Sequence, residues 1–262
     1  TADAIGASRR HRARFFNRFM KGPRTMARNW MRGLALLAGG LCFPALAVAQ
    51  NQCVIPQSFP KSWAILPPQG EIVNTPLTGY ILALSWSPQF CKERGDDKKN
   101  AAQCKGPGKF GFVLHGLWPD GAGLNDPKWC KRVSPVSAAV LKQNFCATPS
   151  AGLMQYEWAK HGSCVESDAE RYFAAANRQY TRLRFPDMEA LSRSQTDVGT
   201  FTTAFVAANP GLSADMVRVD VTILGWLKEV RLCLGKDYSP VSCPRDISGE
   251  GADTRLRIWP AR

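Results

Sequence analysis

The run Glu157-Trp158-Ala159-Lys160-His161-Gly162-Ser163-Cys164 concentrates groups that can move protons. Read as a helix end, it brings Tyr156, Glu157, Lys160 and His161 within about one turn of each other, so a phenol, a carboxylate, an ammonium and an imidazole converge on one patch. Gly162 suits the left-handed residue that closes such a helix, because it has no Cβ. A second run, Phe112-Val113-Leu114-His115-Gly116-Leu117-Trp118-Pro119-Asp120, delivers His115 to a loop at the end of an apolar β-like stretch. The chain has three histidines, His11, His115 and His161. His11 falls in a segment read below as removed, which leaves two imidazoles for acid-base work near neutral pH.

The elements that must position these groups follow from patterning. Residues 80–86 are a short apolar run between Gly79 and Pro88, the mark of a buried strand, and 110–114 form a second. The charged stretch 92–109, punctuated by Gly106-Pro107-Gly108, reads as a surface loop. Residues 135–145 suit a helix with Ser134 as N-cap and Pro135 in its first position. Helices are also predicted over 153–161, over 168–185 with acidic residues in its first turn, and over 200–208 before Asn209-Pro210-Gly211. The stretches 216–223, 227–234 and 256–259 read as strands. Strands at both ends with helices between predict an α+β fold, a mostly antiparallel central sheet with several helices packed on it.

A hydrophobic content of 45% supports a sizeable core and excludes a disordered chain. The formal charge of +13 is misleading, since nine of the Lys and Arg residues and one acid lie in residues 1–49, leaving about +5 for the rest. That remainder suits an anionic substrate without identifying one. The basic stretch 9–32, the apolar run 33–48 and the Ala47-Val48-Ala49 site read together as a secretory signal peptide, with Met20, Met26 and Met31 as candidate starts. The expected organisation is a signal and possible extended N-terminus over 1–49, an arm over 50–76 and one catalytic domain over 77–262. Apart from Cys42, eight cysteines remain: Cys53, Cys91, Cys104, Cys130, Cys146, Cys164, Cys233 and Cys243. In an exported chain these imply four disulfides, with Cys91–Cys104 and Cys233–Cys243 attractive as short loops and the rest open. None has the spacing of a zinc set, so no metal is expected.

The two histidine runs resemble the active-site segments of the ribonuclease T2 family of exported endoribonucleases. The likeness extends to residues 80–91 and 227–233. It implies cleavage of single-stranded RNA by transesterification through a 2′,3′-cyclic phosphate, with His161 as base, His115 as acid, Lys160 and Glu157 on the developing charge, and no cofactor. It assigns Trp118 and Asp120 to a first base site; core packing of the indole and a routine turn role for the carboxylate are the plain alternatives. Tyr156 stands where relatives often carry a phosphate-binding histidine, and a phenol brings no charge there. DNA, lacking the 2′-hydroxyl, should resist. The expected protein is a monomer, free of the membrane once processed, in the periplasm or outside the cell. Two rival readings stay open: an impaired RNA-binding protein of the same fold, and a metal-dependent phosphodiesterase.

Overall fold

The apolar run 80–86 is the centre of a ten-residue strand, and that strand is the middle of the sheet. The computed structural model describes residues 51–59, 64–69, 71–123 and 125–261. In chain order the elements are β1 (Leu77–Trp86), α1 (Ser87–Arg94), α2 (Ala101–Cys104), β2 (Phe112–Gly121), α3 (Ala138–Asn144), α4 (Ala151–Lys160), α5 (Ala169–Arg182) and α6 (Met188–Arg193). They continue with β3 (Thr196–Asp197), α7 (Val198–Ala208), β4 (Val217–Val221), β5 (Leu227–Gly235) and β6 (Arg255–Leu256). The main sheet runs β2-β1-β5-β4, every pair antiparallel, and β3 pairs with β6 apart from it. The fold is α+β, as the patterning predicts. The described residues fall in one compact unit spanning Ala47–Arg262. The expected signal segment, residues 1–49, lies outside the described residues.

One sheet face carries Tyr80, Leu82, Leu84 and Trp86 of β1, Leu114 and Leu117 of β2, and Val230, Leu232 and Leu234 of β5. Helices α4, α5 and α7 close over it with Met154, Trp158, Tyr172, Phe173, Phe201 and Phe205. Each fully buried side chain of this size contributes about 1.5–3 kcal/mol. Burial of this face fixes the register, because a slip of one residue would turn every apolar group to the opposite face. That opposite face carries Ser85 paired with Glu229, Ala83 paired with Arg231, and Asp220 opposite Glu229.

Several elements differ from the patterning. His115 lies within β2, not in a loop after it: pairing passes from Ala83↔Gly116 to Leu84↔Leu114, and His115 is the extra residue of a bulge. The bulge lets Leu114 and Leu117 both face the core. The stretch 92–109 is largely helical, because Pro88 opens α1, Asp97 caps a 3₁₀ turn over Lys98–Asn100, and Cys91–Cys104 joins α1 to α2. Helix α3 starts at Ala138 with Ser137 as its cap; Val136 is held before it by donating its backbone N–H to Gln155 Oε1 at 2.7 Å. Asp187 caps a helix, α6, that patterning misses, and of the stretch 256–259 only Leu256 lies in a strand, as the second residue of β6.

The disulfides Cys91–Cys104 and Cys233–Cys243 close the two short loops. Cys53–Cys146 ties the arm to the end of α3, and Cys130–Cys164 ties the loop after β2 to the 3₁₀ turn after α4.

Candidate active site

Trp118 is the hub. The ring of His115 meets it edge-on at 5.2 Å and the ring of His161 stacks on it at 5.6 Å, so one indole has both imidazoles against it. Trp118 comes from β2 three residues past the bulge residue His115, and His161 is the C-cap of α4, its N–H bonded to Glu157 O at 2.9 Å.

His115 lies between two carboxylates. Its Nδ1 is 2.6 Å from Glu229 Oε2, and its Nε2 is 3.7 Å from Glu157 Oε1. Ser85 Oγ is 3.3 Å from both Nδ1 and Glu229 Oε2. Burial works against a charged His115, but the Glu229 hydrogen bond and the charges of Glu157 and Glu229 outweigh it and raise its pKa. With 31% of its side chain exposed, the ring still reaches solvent. Glu229 is itself desolvated, yet His115 and Arg231 hold it down to about 2. Arg231 Nε donates to Glu229 Oε1 at 2.9 Å and its other end pairs with Asp220, so the guanidinium keeps the carboxylate in place; the guanidinium also lies 5.6 Å from the Trp118 ring.

Glu157 is 2% exposed and points from α4 at β2. Its Oε2 accepts from Trp118 Nε1 at 2.8 Å. Burial raises its pKa to about 6, opposed by His115, the Trp118 bond and Lys160. Gly116 makes room for it: a Cβ there would stand 2.1 Å from Glu157 Oε2.

His161 is in the opposite condition to His115. It is 8% exposed, and its Nδ1 is buried with no partner among the described residues. Burial, then the positive charges of Lys160, His115 and Lys128, push its pKa down to about 3. The ring is therefore a neutral base at neutral pH.

Gly162 does not adopt the left-handed closing conformation. It begins a 3₁₀ turn, Gly162–Cys164, and glycine is required there because a Cβ would come within 2.4 Å of the Trp158 ring and 2.8 Å of Tyr172. Lys160 extends over the Tyr156 ring at 5.3 Å, while Tyr156 is 38% exposed and meets the edge of Trp129. Trp129 holds φ 59 and donates its backbone N–H to Lys160 O at 2.7 Å. Asp120 is in β2 rather than a turn; it is buried and accepts from Thr78 Oγ1 at 2.8 Å, with burial raising its pKa. Trp158 lies in the core.

His115, Trp118, Glu157 and His161 thus meet, with Lys160 and Tyr156 on the exposed side of α4. Sequence reasoning missed Glu229, Arg231 and Ser85. A signal existed: two charges two residues apart inside the apolar run Leu227-Lys228-Glu229-Val230-Arg231-Leu232-Cys233.

The chain is similar to known proteins in sequence and in fold. A "Probable ribonuclease" of Haemophilus influenzae is 36% identical over 137 residues, covering 48% of this chain and 50% of that protein. The chain therefore spans about half the length of this curated relative. Among solved structures, trichomaglin, described as a novel S-like ribonuclease, superposes with a TM-score of 0.55 at 17% identity, covering 70% of this chain and 97% of that one. RNase NT in complex with 5′-AMP gives 0.51 at 20% identity, covering 72% and 100%. These two likenesses are of fold. Residues 78–197, which carry both histidine segments, match the model of the Ribonuclease T2 family.

Proposed function

We propose that the protein is an exported endoribonuclease that cleaves single-stranded RNA by metal-independent transesterification, through a 2′,3′-cyclic phosphate to 3′-phosphate ends, with low base specificity. The observation that carries this reading is the meeting of two imidazoles against one indole in opposite surroundings, His161 buried with Nδ1 unpartnered among the described residues and His115 set between two carboxylates that raise its pKa. In the reaction, His161 takes the proton of the ribose 2′-hydroxyl as the oxygen attacks phosphorus. His115 gives its proton to the departing 5′-oxygen, and Glu229 stabilises the cation until that moment. Each such transfer is worth about 10²–10⁴-fold. Lys160, with Glu157 held near the reacting group, meets the charge on the five-coordinate phosphorus. Opening of the cyclic product by water runs the same steps with the two roles exchanged.

Tyr156 would contribute a hydrogen bond to phosphate from beside Lys160. Asp120 is buried and accepts from Thr78 Oγ1, and that limited exposure of its carboxylate to a base amine accords with weak base preference. RNase NT carries a bound nucleotide, and we extend that ligand class to this chain. Four disulfides accord with an oxidising compartment outside the cytoplasm. The protein is read as a monomer, and DNA, without the attacking hydroxyl, as inert to it.

The test is cleavage of total RNA in EDTA by the parent and by His115→Ala and His161→Ala. The expected result is cleavage by the parent with 2′,3′-cyclic ends and a loss of at least about 10²-fold in each variant. Persistence of activity in both variants would end the two-histidine scheme. Abolition by EDTA would overturn its metal independence, and RNA retention without cleavage by the parent would favour a binding protein of the same fold.

A further inference from the structure

A second cleft, about 260 Å³ in volume, opens beside the start of β5 and is lined by Ser194, Gln195, Trp226, Arg255, Arg257 and Trp259 among others. Trp226 and Trp259 stack face to face at 4.0 Å and 6°. Lys92 lies 4.5 Å over Trp259 and the Arg257 guanidinium 5.4 Å over Trp226, so a cation caps each end of the indole pair. The pair is held rigidly. Trp226 bridges Arg257, Leu227 donates to Arg257 O at 2.8 Å, and Trp259 donates its Nε1–H to Gln89 Oε1 at 3.0 Å.

Core packing does not account for this arrangement. Both indoles remain partly exposed, Arg255 and Arg257 are exposed, and at the adjoining hairpin tip Ile223 and Leu224 also face solvent. Stacked aromatic faces interleaved with exposed cations are what a single strand of nucleic acid requires: rings for its bases and charges for its phosphates. Two strands link the cleft to the candidate active site. Trp259 O accepts from Trp86 Nε1 at 3.0 Å, and the neighbour of Trp86, Ser85, touches His115. Along β5, Trp226 precedes Glu229 by three residues, about 10 Å of strand.

We infer that this cleft is a subsite for the RNA strand flanking the scissile phosphate. It takes a base against the Trp226–Trp259 pair, through exchange with Lys92 or Arg257, and phosphates against Arg255 and Arg257. The inference rests on the ribonuclease reading and adds to it a preference for chains over dinucleotides.

The experiment compares the wild type with Arg255→Ala/Arg257→Ala. Substrates are a dinucleotide and an oligonucleotide of about ten residues, and binding is measured with the 2′-deoxy form of that oligonucleotide across a salt series. The expected result is a KM for the oligonucleotide raised at least about fivefold, with dinucleotide kinetics unchanged. The slope of log affinity against log salt should fall by about 1.4 for two lost phosphate contacts on a single strand. Unchanged oligonucleotide KM and an unchanged salt slope overturn the subsite, as does an equal loss on the dinucleotide in a variant whose near-ultraviolet dichroism is native. Should the wild type cleave neither substrate, the ribonuclease reading fails by itself. The deoxy oligonucleotide then decides the cleft, weaker binding in the variant supporting it and equal binding overturning it. Arg255→Ala alone, which leaves the cation over Trp226 in place, carries the same test with a slope change of about 0.7 if the arginine pair proves necessary for folding.

Discussion

Replacing Glu157 by Gln should stabilise the fold while impairing catalysis. Glu157 is buried, and its pKa in the folded protein stands at about 6 against an ordinary 4.5. Because the folded value is the higher one, the charged carboxylate opposes folding above pH 6, and the opposition vanishes below pH 4.5, where the group is protonated whether folded or not. At 1.36 kcal/mol per pH unit the penalty at neutral pH is about 2 kcal/mol. Gln keeps the shape and an oxygen to accept from Trp118 Nε1, but its amide then faces His115 Nε2, which takes back part of the gain. The expected net is about 1 kcal/mol, or about 2–4 °C in Tm for a domain of this size. Urea unfolding at pH 7.5 and at pH 4 measures it, beside RNA cleavage, which should fall about 10²-fold if Glu157 acts on the transition state. A stability gain of the same size at both pH values would place the effect in packing rather than charge. A loss of stability at pH 7.5 would refute the electrostatic reasoning outright.

The pH–rate profile should hold through the mildly acid range, because His161 stays neutral down to about 3 in the free protein, and fall on the alkaline side as His115 loses its proton above the ordinary histidine value. An acid limb centred between about 6 and 7 would sink that assignment. Removing the Cys53–Cys146 bridge, whose ends lie 93 residues apart, should cost about 4–5 kcal/mol in urea unfolding on the chain-entropy account. A cost below about 1 kcal/mol would mean that the unbridged chain is already restrained. Gly162→Ala puts a methyl against the Trp158 ring and should destabilise by about 1–3 kcal/mol. Full stability in that variant would show that the ring has room to move.

Much of the site was legible because its groups sit close in sequence. Glu157, Lys160 and His161 share one helix end, and scarcity of histidine points to His115 as the partner. The two short disulfide loops were readable for the same reason, as closure of a short loop leaves little choice. What was not legible depends on pairing between distant strands. Glu229 reaches His115 only because β5 lies beside β1 and Ser85 is opposite Glu229; no local period announces that. The bulge is invisible for a related reason. Phe112-Val113-Leu114-His115-Gly116-Leu117 reads as a strand followed by a break, and only the core's demand for both Leu114 and Leu117 reveals an inserted residue. The helices α1 and α2 escaped because they are short, of eight and four residues, and present no apolar stripe of helical period.

The contrast between the two imidazoles follows from this same topology, and magnitudes decide it. His161 ends a helix, where the partial negative charge of the C-terminus favours an imidazolium by about 0.3–2 kcal/mol. Burial and the nearby Lys160, His115 and Lys128 bring its pKa from 6.5 to about 3, which corresponds to about 5 kcal/mol in the opposite sense. The helix end loses, and the ring is neutral at neutral pH. His115 is desolvated as well, but the bulge sets it between Glu229 and Glu157, and two carboxylates outweigh one desolvation. Neither outcome is written in the residue types of the two histidine runs, each of which is one imidazole beside one glycine. The difference comes from Glu229, which His115 and Arg231 hold ionised in a buried position, and from Gly116, which admits the Glu157 carboxylate. A chain with both histidines but without Glu229 and Gly116 would lose the carboxylates that raise His115 and leave the two imidazoles displaced in the same direction.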